Sequence, residues 1–127
     1  LHDLEQIGET PDYNLVKTIM IIETGMEPKE NHLGFHGYPQ TKEKYINWIN
    51  KKNNTNFTLN DMYDVYKSAQ YIHYYVKTLY SSSIINNKED VIIAYNWGMG
   101  NLKQYKQGEK ELPQESKDYI SMLNIIY

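Results

Sequence analysis

The chain of 127 residues has single-domain length, and its 40% hydrophobic and 23% charged residues describe a globular protein rather than a disordered one. Thirteen lysines, no arginine and 16 acidic residues leave a net charge of -3, which excludes a broadly basic nucleic-acid binder. No cysteine is present, so no disulfide, thiolate metal site or cysteine nucleophile is available. No apolar run approaches the roughly 18 residues that span a bilayer.

In chain order, Leu1-His2-Asp3-Leu4-Glu5 lacks the basic start and apolar middle of a signal peptide. Thr10-Pro11 predicts a helix start, with Thr as N-cap and Pro at the first helical position. Leu15, Val16, Ile19, Met20 and Ile22 follow at helical spacing, and Gly25 ends the run, which predicts a helix over about 11–24. Pro28, Gly34, Gly37 and Pro39 make 25–41 a loop, its two glycines three apart pointing to a tight backbone. Thr41 is a candidate cap for a second helix carrying Tyr45, Ile46, Trp48 and Ile49, and Asn50 to Asn56 reads as a polar loop. From Thr58-Leu59-Asn60-Asp61 a long helix is predicted to about residue 80, with Met62, Val65, Tyr66, Ala69, Ile72, Val76 and Leu79 on its apolar face. Ser81 to Ser83 close it, and Asn86-Asn87 cap the next helix, which carries Val91, Ile92, Ala94 and Tyr95 and stops at Gly98 and Gly100. A last helix starts at Pro113 and buries some of Tyr119, Ile120, Leu123 and Ile126. No strand alternation and no repeat are visible. The expected fold is mostly α, one domain over residues 1–127. The 13 tyrosines fit an AT-rich codon usage, and most sit at helical spacing as core residues do.

Glu23 is the candidate for chemistry. It follows Met20, Ile21 and Ile22 at the C-terminal end of an apolar helix. Poor solvation and the negative helix end both disfavour its charged form, and a carboxylic acid kept protonated is what general acid catalysis requires. Gly34-Phe35-His36-Gly37-Tyr38-Pro39-Gln40 places two glycines where backbone must approach something closely. Ala94-Tyr95-Asn96-Trp97-Gly98-Met99-Gly100 puts Tyr and Asn at a helix end before glycines. There Tyr95 could donate to a substrate or to Glu23, and Asn96 could hold a ligand amide or cap backbone.

In this order the segments resemble the catalytic domain of the soluble lytic transglycosylase family. The family's Glu-Ser-Gly reads Glu23-Thr24-Gly25, and its Gly-x-x-Gly-Leu-Met-Gln is matched by Gly34, Gly37 and Gln40, with Tyr38-Pro39 in place of Leu-Met. Its long helix corresponds to about 59–80. Its Ala-Tyr-Asn-x-Gly-x-Gly is matched by Ala94, Tyr95, Asn96, Gly98 and Gly100, and its Leu-Pro-x-Glu-Thr-x-x-Tyr-Val by Leu112, Pro113, Glu115, Ser116, Tyr119 and Ile120. The resemblance implies a lysozyme-like α-helical domain with a substrate groove. It implies cleavage of the β-1,4 bond between N-acetylmuramic acid and N-acetylglucosamine, leaving a 1,6-anhydro sugar. Glu23 is then the single acid and base. Thr24 keeps a hydroxyl that could orient it, and Gln40 is a groove residue. Tyr95 lies near Glu23, Asn96 braces its motif, and Gly34, Gly37, Gly98 and Gly100 shape the groove. Pro39 falls where the family has a groove methionine, which points to altered subsites.

Of the two tryptophans, Trp97 is the better candidate to stack on a sugar ring, because it lies inside a motif. His32 and His36 are four apart, but in a glycine-containing loop without a third ligand, so no metal is expected, and no cofactor. The expected partner is the glycan strand of peptidoglycan, met by a monomer in the periplasm or outside the cell. The size of the chain suits local wall opening for a secretion, flagellar or phage assembly. Two alternatives stand beside this reading: a hydrolytic muramidase on the same fold, and a non-catalytic peptidoglycan-binding module.

Overall fold

The computed structural model describes residues 12–127. It divides into two compact units, one running to Thr78 and one from Leu79 to Tyr127. Among the described residues the elements are helical, and the only extended pairings are the isolated bridges Glu30–His36 and His36–Thr41. The mostly α expectation therefore holds.

In the first unit, α1 spans Tyr13–Thr24. The predicted Thr10-Pro11 start lies outside the described residues. Within them Asp12 is the N-cap, its side chain accepting from the Leu15 N–H at 3.0 Å. Leu15, Val16, Ile19 and Met20 form the buried stripe that the spacing predicts. Gly25 ends the helix in the left-handed region and returns its N–H to the Ile21 carbonyl.

Helix α2 spans Glu43–Asn53, so residues 50–53, expected as loop, are helical. Thr41 does not cap it. Lys42 is the N-cap and makes no side-chain cap bond, while the Thr41 hydroxyl is drawn off to the Tyr71 hydroxyl at 2.7 Å. Burial of Ile46 and Ile49 anchors the helix, at roughly 1.5–3 kcal/mol each. After Asn54, in the left-handed region, the chain turns back through a clasp built by Asn50. Its side chain donates to the Phe57 carbonyl and accepts from the Phe57 N–H and the Thr55 hydroxyl, each at 2.9 Å. Phe57 then packs edge-on against Tyr71, ring centroids 5.6 Å apart. The Asn-Lys-rich segment is therefore a packed helix and a fixed turn.

The long helix predicted from residue 59 is interrupted. A 3-10 turn at Asn60–Tyr63 comes first, with Thr58 and Asp61 bonding each other's backbone N–H. Asp64 is extended, and its carboxylate accepts from the N–H groups of Tyr66 and Lys67, which starts a new helix, α3, at Val65–Tyr80. Ala69, Tyr71, Ile72, Tyr75 and Val76 are its buried apolar residues in this unit, together with the polar Ser68 and His73.

In the second unit, α4 spans Lys88–Trp97, α5 Met99–Lys106 and α6 Gln114–Ile126. Asn87 caps α4 as predicted, accepting from the Asp90 N–H at 2.9 Å. Asp90 through Ala94 are buried, and α4 packs on both α5 and α6. Lys106 reaches back from α5 to the Asp90 carboxylate at 2.6 Å and to the Ile84 carbonyl, and Asp90 also accepts from the Asn86 N–H. One charged pair thus pins the 81–87 turn. Gly98 ends α4 as expected, but α5 begins at once. Pro113 is the N-cap of α6 rather than its first residue.

Candidate active site

Glu23 is the penultimate residue of α1 and is half-buried. The last carbonyls of a helix have no intrahelical partners, so Glu23 sits at the electronegative end of α1. Thr24, beside it, is buried, and its hydroxyl donates to the Met20 carbonyl at 3.1 Å. A hydroxyl has one proton, so in this arrangement Thr24 can meet Glu23 only as an acceptor.

Three tyrosines of the first unit, Tyr45, Tyr71 and Tyr75, act on one another electrostatically. Tyr75 on α3 is 8% exposed. Burial, then the charges of Tyr45 and Glu23, push its phenol well above the ordinary tyrosine range. Glu23 thus lies close enough to act electrostatically on Tyr75. Tyr71, one turn earlier, is also pushed up by burial, an effect its bond to Thr41 opposes and the neighbouring Tyr75 and Tyr45 reinforce. Both phenols stay protonated at neutral pH. Sequence reasoning missed Tyr45, Tyr71 and Tyr75 because helical spacing marks them as core, which Tyr71 and Tyr75 are, while Tyr45 is half-buried. The signal lay in the hydroxyls: a phenol buried on an apolar face must find a polar partner.

The loop from Gly25 to Thr41 is held mostly by its own backbone. The Asn31 side chain accepts from the N–H groups of Leu33 and Phe35. Gly34 sits in this turn. Gly37 is the tightest point. Its φ is 72°, and a Cβ there would collide with the Met62 carbonyl, whose oxygen accepts from the Tyr38 N–H. Gln40 also has positive φ, and its amide group donates to the carbonyls of Lys29 at 2.8 Å and Gly37 at 3.1 Å. Both protons of that amide are committed to the loop, which leaves its carbonyl oxygen as the free polar group. Pro39 is buried. His36 bonds the Tyr63 hydroxyl through Nδ1 at 2.7 Å, and its Nε2 lies 3.6 Å from Glu30. Burial, then the Glu30 charge, raises the Tyr63 phenol. No group of three metal-ligating side chains occurs among the described residues.

Trp48 packs edge-on against Tyr75 at 5.5 Å. An apolar depression of about 190 Å³ flanks α1, lined by Lys17, Met20, Met26, Val65, Tyr66 and Ala69. Met20 and Met26 bracket Glu23 in sequence.

In the second unit, Tyr95, Asn96 and Trp97 form the last turn of α4, all half-buried. Asn96 is a brace. It donates to Glu115 at 3.1 Å and accepts from the buried Ser116 hydroxyl at 2.8 Å, tying α4 to α6. The Trp97 carbonyl accepts from the Asn101 amide, and the Lys110 ammonium stands 5.9 Å from the Trp97 ring centre. Gly98, at φ 101° and ψ 152°, adopts a conformation essentially restricted to glycine, which permits the immediate restart of the chain as α5. Gly100 is an ordinary helical residue with open space where a side chain would go.

The structure thus groups Glu23, Thr24, Gly34, Gly37 and Gln40 in the first unit and Tyr95, Asn96 and Trp97 in the second. No curated protein and no solved structure matches the chain. The family model described as the transglycosylase SLT domain matches residues 6–117, nearly the whole length, and the helical architecture agrees with that family's lysozyme-like fold. The chain belongs to the transglycosylase SLT domain family, whose members are lytic transglycosylases acting on cell-wall peptidoglycan.

Proposed function

We propose that residues 1–127 form one catalytic domain that cleaves the β-1,4 bond between N-acetylmuramic acid and N-acetylglucosamine, with Glu23 as the single acid and base. The observation that carries this reading is the setting of Glu23: a half-buried carboxyl at the end of α1, beside a buried phenol that stays protonated. Protonated Glu23 gives its proton to the glycosidic oxygen as the bond to the anomeric carbon breaks. The resulting carboxylate takes the proton of the muramic acid C6 hydroxyl, whose oxygen closes on the anomeric carbon. Glu23 ends protonated, no water is consumed, and the product is a 1,6-anhydro sugar.

The remaining site residues support that step. Gln40 holds the loop through its amide protons and offers its carbonyl oxygen to glycan, while Gly34 and Gly37 let the backbone line the groove. Tyr95 and Trp97 contact sugar, and Asn96 keeps them placed through Glu115 and Ser116. The enzyme works as a monomer on glycan strands, in the periplasm or outside the cell, where local wall opening serves a secretion, flagellar or phage assembly.

Digestion of purified peptidoglycan with product masses tests the reading. The expected muropeptides are about 18 Da lighter than reducing-end products, the difference of one water, and disappear with Glu23→Gln. Reducing ends in place of anhydro ends would make the chain a hydrolytic muramidase. Products that survive Glu23→Gln would remove Glu23 from the chemistry.

A further inference from the structure

The apolar depression of about 190 Å³ beside α1 plays no part in the reaction described above. Its walls come from two helices of the first unit, Lys17 and Met20 on α1 and Val65, Tyr66 and Ala69 on α3, with Met26 from the turn after α1. Pockets that enclose a whole small molecule start at about 300 Å³, so this one takes only part of a ligand. Met26 has φ 71°, the left-handed region that a long side chain resists, and it follows Gly25 at φ 63°. That turn sets Met26 along the depression while leaving it 40% exposed, and Tyr66 is 57% exposed. Lys17 is the one charged residue of the lining. It is exposed, and no acid pairs with it among the described residues.

Lys17, Met20 and Glu23 follow one another at three-residue steps on α1, each a neighbour of the next. At 1.5 Å per residue, Lys17 lies about 9 Å along the axis from Glu23. Two to three residues of extended peptide, at about 3.3–3.6 Å each, cover that distance. We propose that the depression binds the peptide that peptidoglycan carries on its sugars. A small apolar side chain such as that of alanine lies against Met20, Met26 and Tyr66, and a free carboxylate of the next residue pairs with Lys17. This rests on the reading that places the cleaved bond at Glu23. The side chain gains burial and the carboxylate a charge-assisted hydrogen bond, so the site selects peptide-bearing glycan over bare glycan.

Methionine-methyl NMR reads the site directly. Of the five methionines, Met20 and Met26 line the depression, and Met62, Met99 and Met122 do not. The probe is the tripeptide L-alanyl-γ-D-glutamyl-L-lysine, with its carboxyl-amidated form as control. The Met20 and Met26 methyl signals should move and the other three should not. Binding should weaken about threefold in Lys17→Gln, and by as much when the amidated form meets the native chain. Lys17 is exposed, so its replacement leaves the fold intact. In cleavage, the native chain should prefer intact peptidoglycan to glycan stripped of its peptides, and Lys17→Gln should reduce that preference about threefold. Unmoved Met20 and Met26 signals, equal binding of the acid and amidated peptides, or an undiminished preference in Lys17→Gln would each overturn the proposal. The NMR readout needs no turnover: moving Met20 and Met26 methyls in a chain that cleaved nothing would keep the peptide site and sink the proposed function.

Discussion

The two units fix their loops by different physical means. Residues 25–41 of the first unit are held by backbone geometry: positive φ at Gly34, Gly37 and Gln40, N–H groups returned to nearby carbonyls, and a close approach of Gly37 to Met62. The second unit is held by side chains reaching across its turns, Lys106 to Asp90 and Asn96 to Glu115 and Ser116. A side-chain brace can be weakened by degrees. A backbone contact that excludes a Cβ has no intermediate state, so the two units should answer substitution differently.

The sharpest break of that comparison is Gly37→Ala. The added Cβ falls on the Met62 carbonyl in a conformation that alanine resists, and the expected loss exceeds about 4 kcal/mol, read by denaturant unfolding. A Gly37→Ala chain that folded with full stability would mean that the loop and Met62 are free to separate.

Alkaline pH should next single out the first unit. Tyr71 and Tyr75 have folded-state ionisation pushed above the usual value of about 10 that they recover on unfolding. Above that pH the unfolded chain holds fewer protons than the folded one, so stability falls as pH rises. Absorbance near 295 nm should show these two phenols ionising only with unfolding, and the step should shrink in a Tyr71→Phe, Tyr75→Phe double variant. Smooth titration of every tyrosine without unfolding would contradict their burial.

Asp90→Ala probes the brace of the second unit. It strands Lys106 and the Asn86 N–H. Lys106 keeps 28% of its side chain in water, so the expected loss is about 2 kcal/mol, below the roughly 3–5 kcal/mol of a fully buried pair. Gly100→Ala is the smallest effect and has the opposite sign. The position is helical and unobstructed, so a gain of about 0.5–1 kcal/mol in thermal unfolding is expected. A loss there would restore Gly100 to the shape-giving role that the motif suggested.

The helices were largely legible in the sequence, because apolar spacing reports burial directly, as Leu15, Ile19 and Ile72 illustrate. Caps were legible only where the polar side chain had no better partner. Asn87 caps α4, whereas Thr41 looks like a cap and is taken by Tyr71, thirty residues away. The break at Asp64 was hidden because the apolar spacing continues across it while the carboxylate starts a fresh helix. In the candidate site, the motif glycines announced themselves, but Gln40 gave no sign that its amide protons serve the loop. The buried tyrosines Tyr71 and Tyr75 were masked by their own hydrophobicity.

The chain carries two tryptophans, and the division at Thr78 gives one to each unit. Trp48 lies in edge-on contact with Tyr75, and Trp97 has the Lys110 ammonium near its ring. Each unit therefore contains its own fluorophore, in a distinct environment, without any label. A chain keeping only Trp48 would report by emission on the aromatic packing around Tyr75, and one keeping only Trp97 on the end of α4. Comparing the two during unfolding would show whether the units melt in one transition or two.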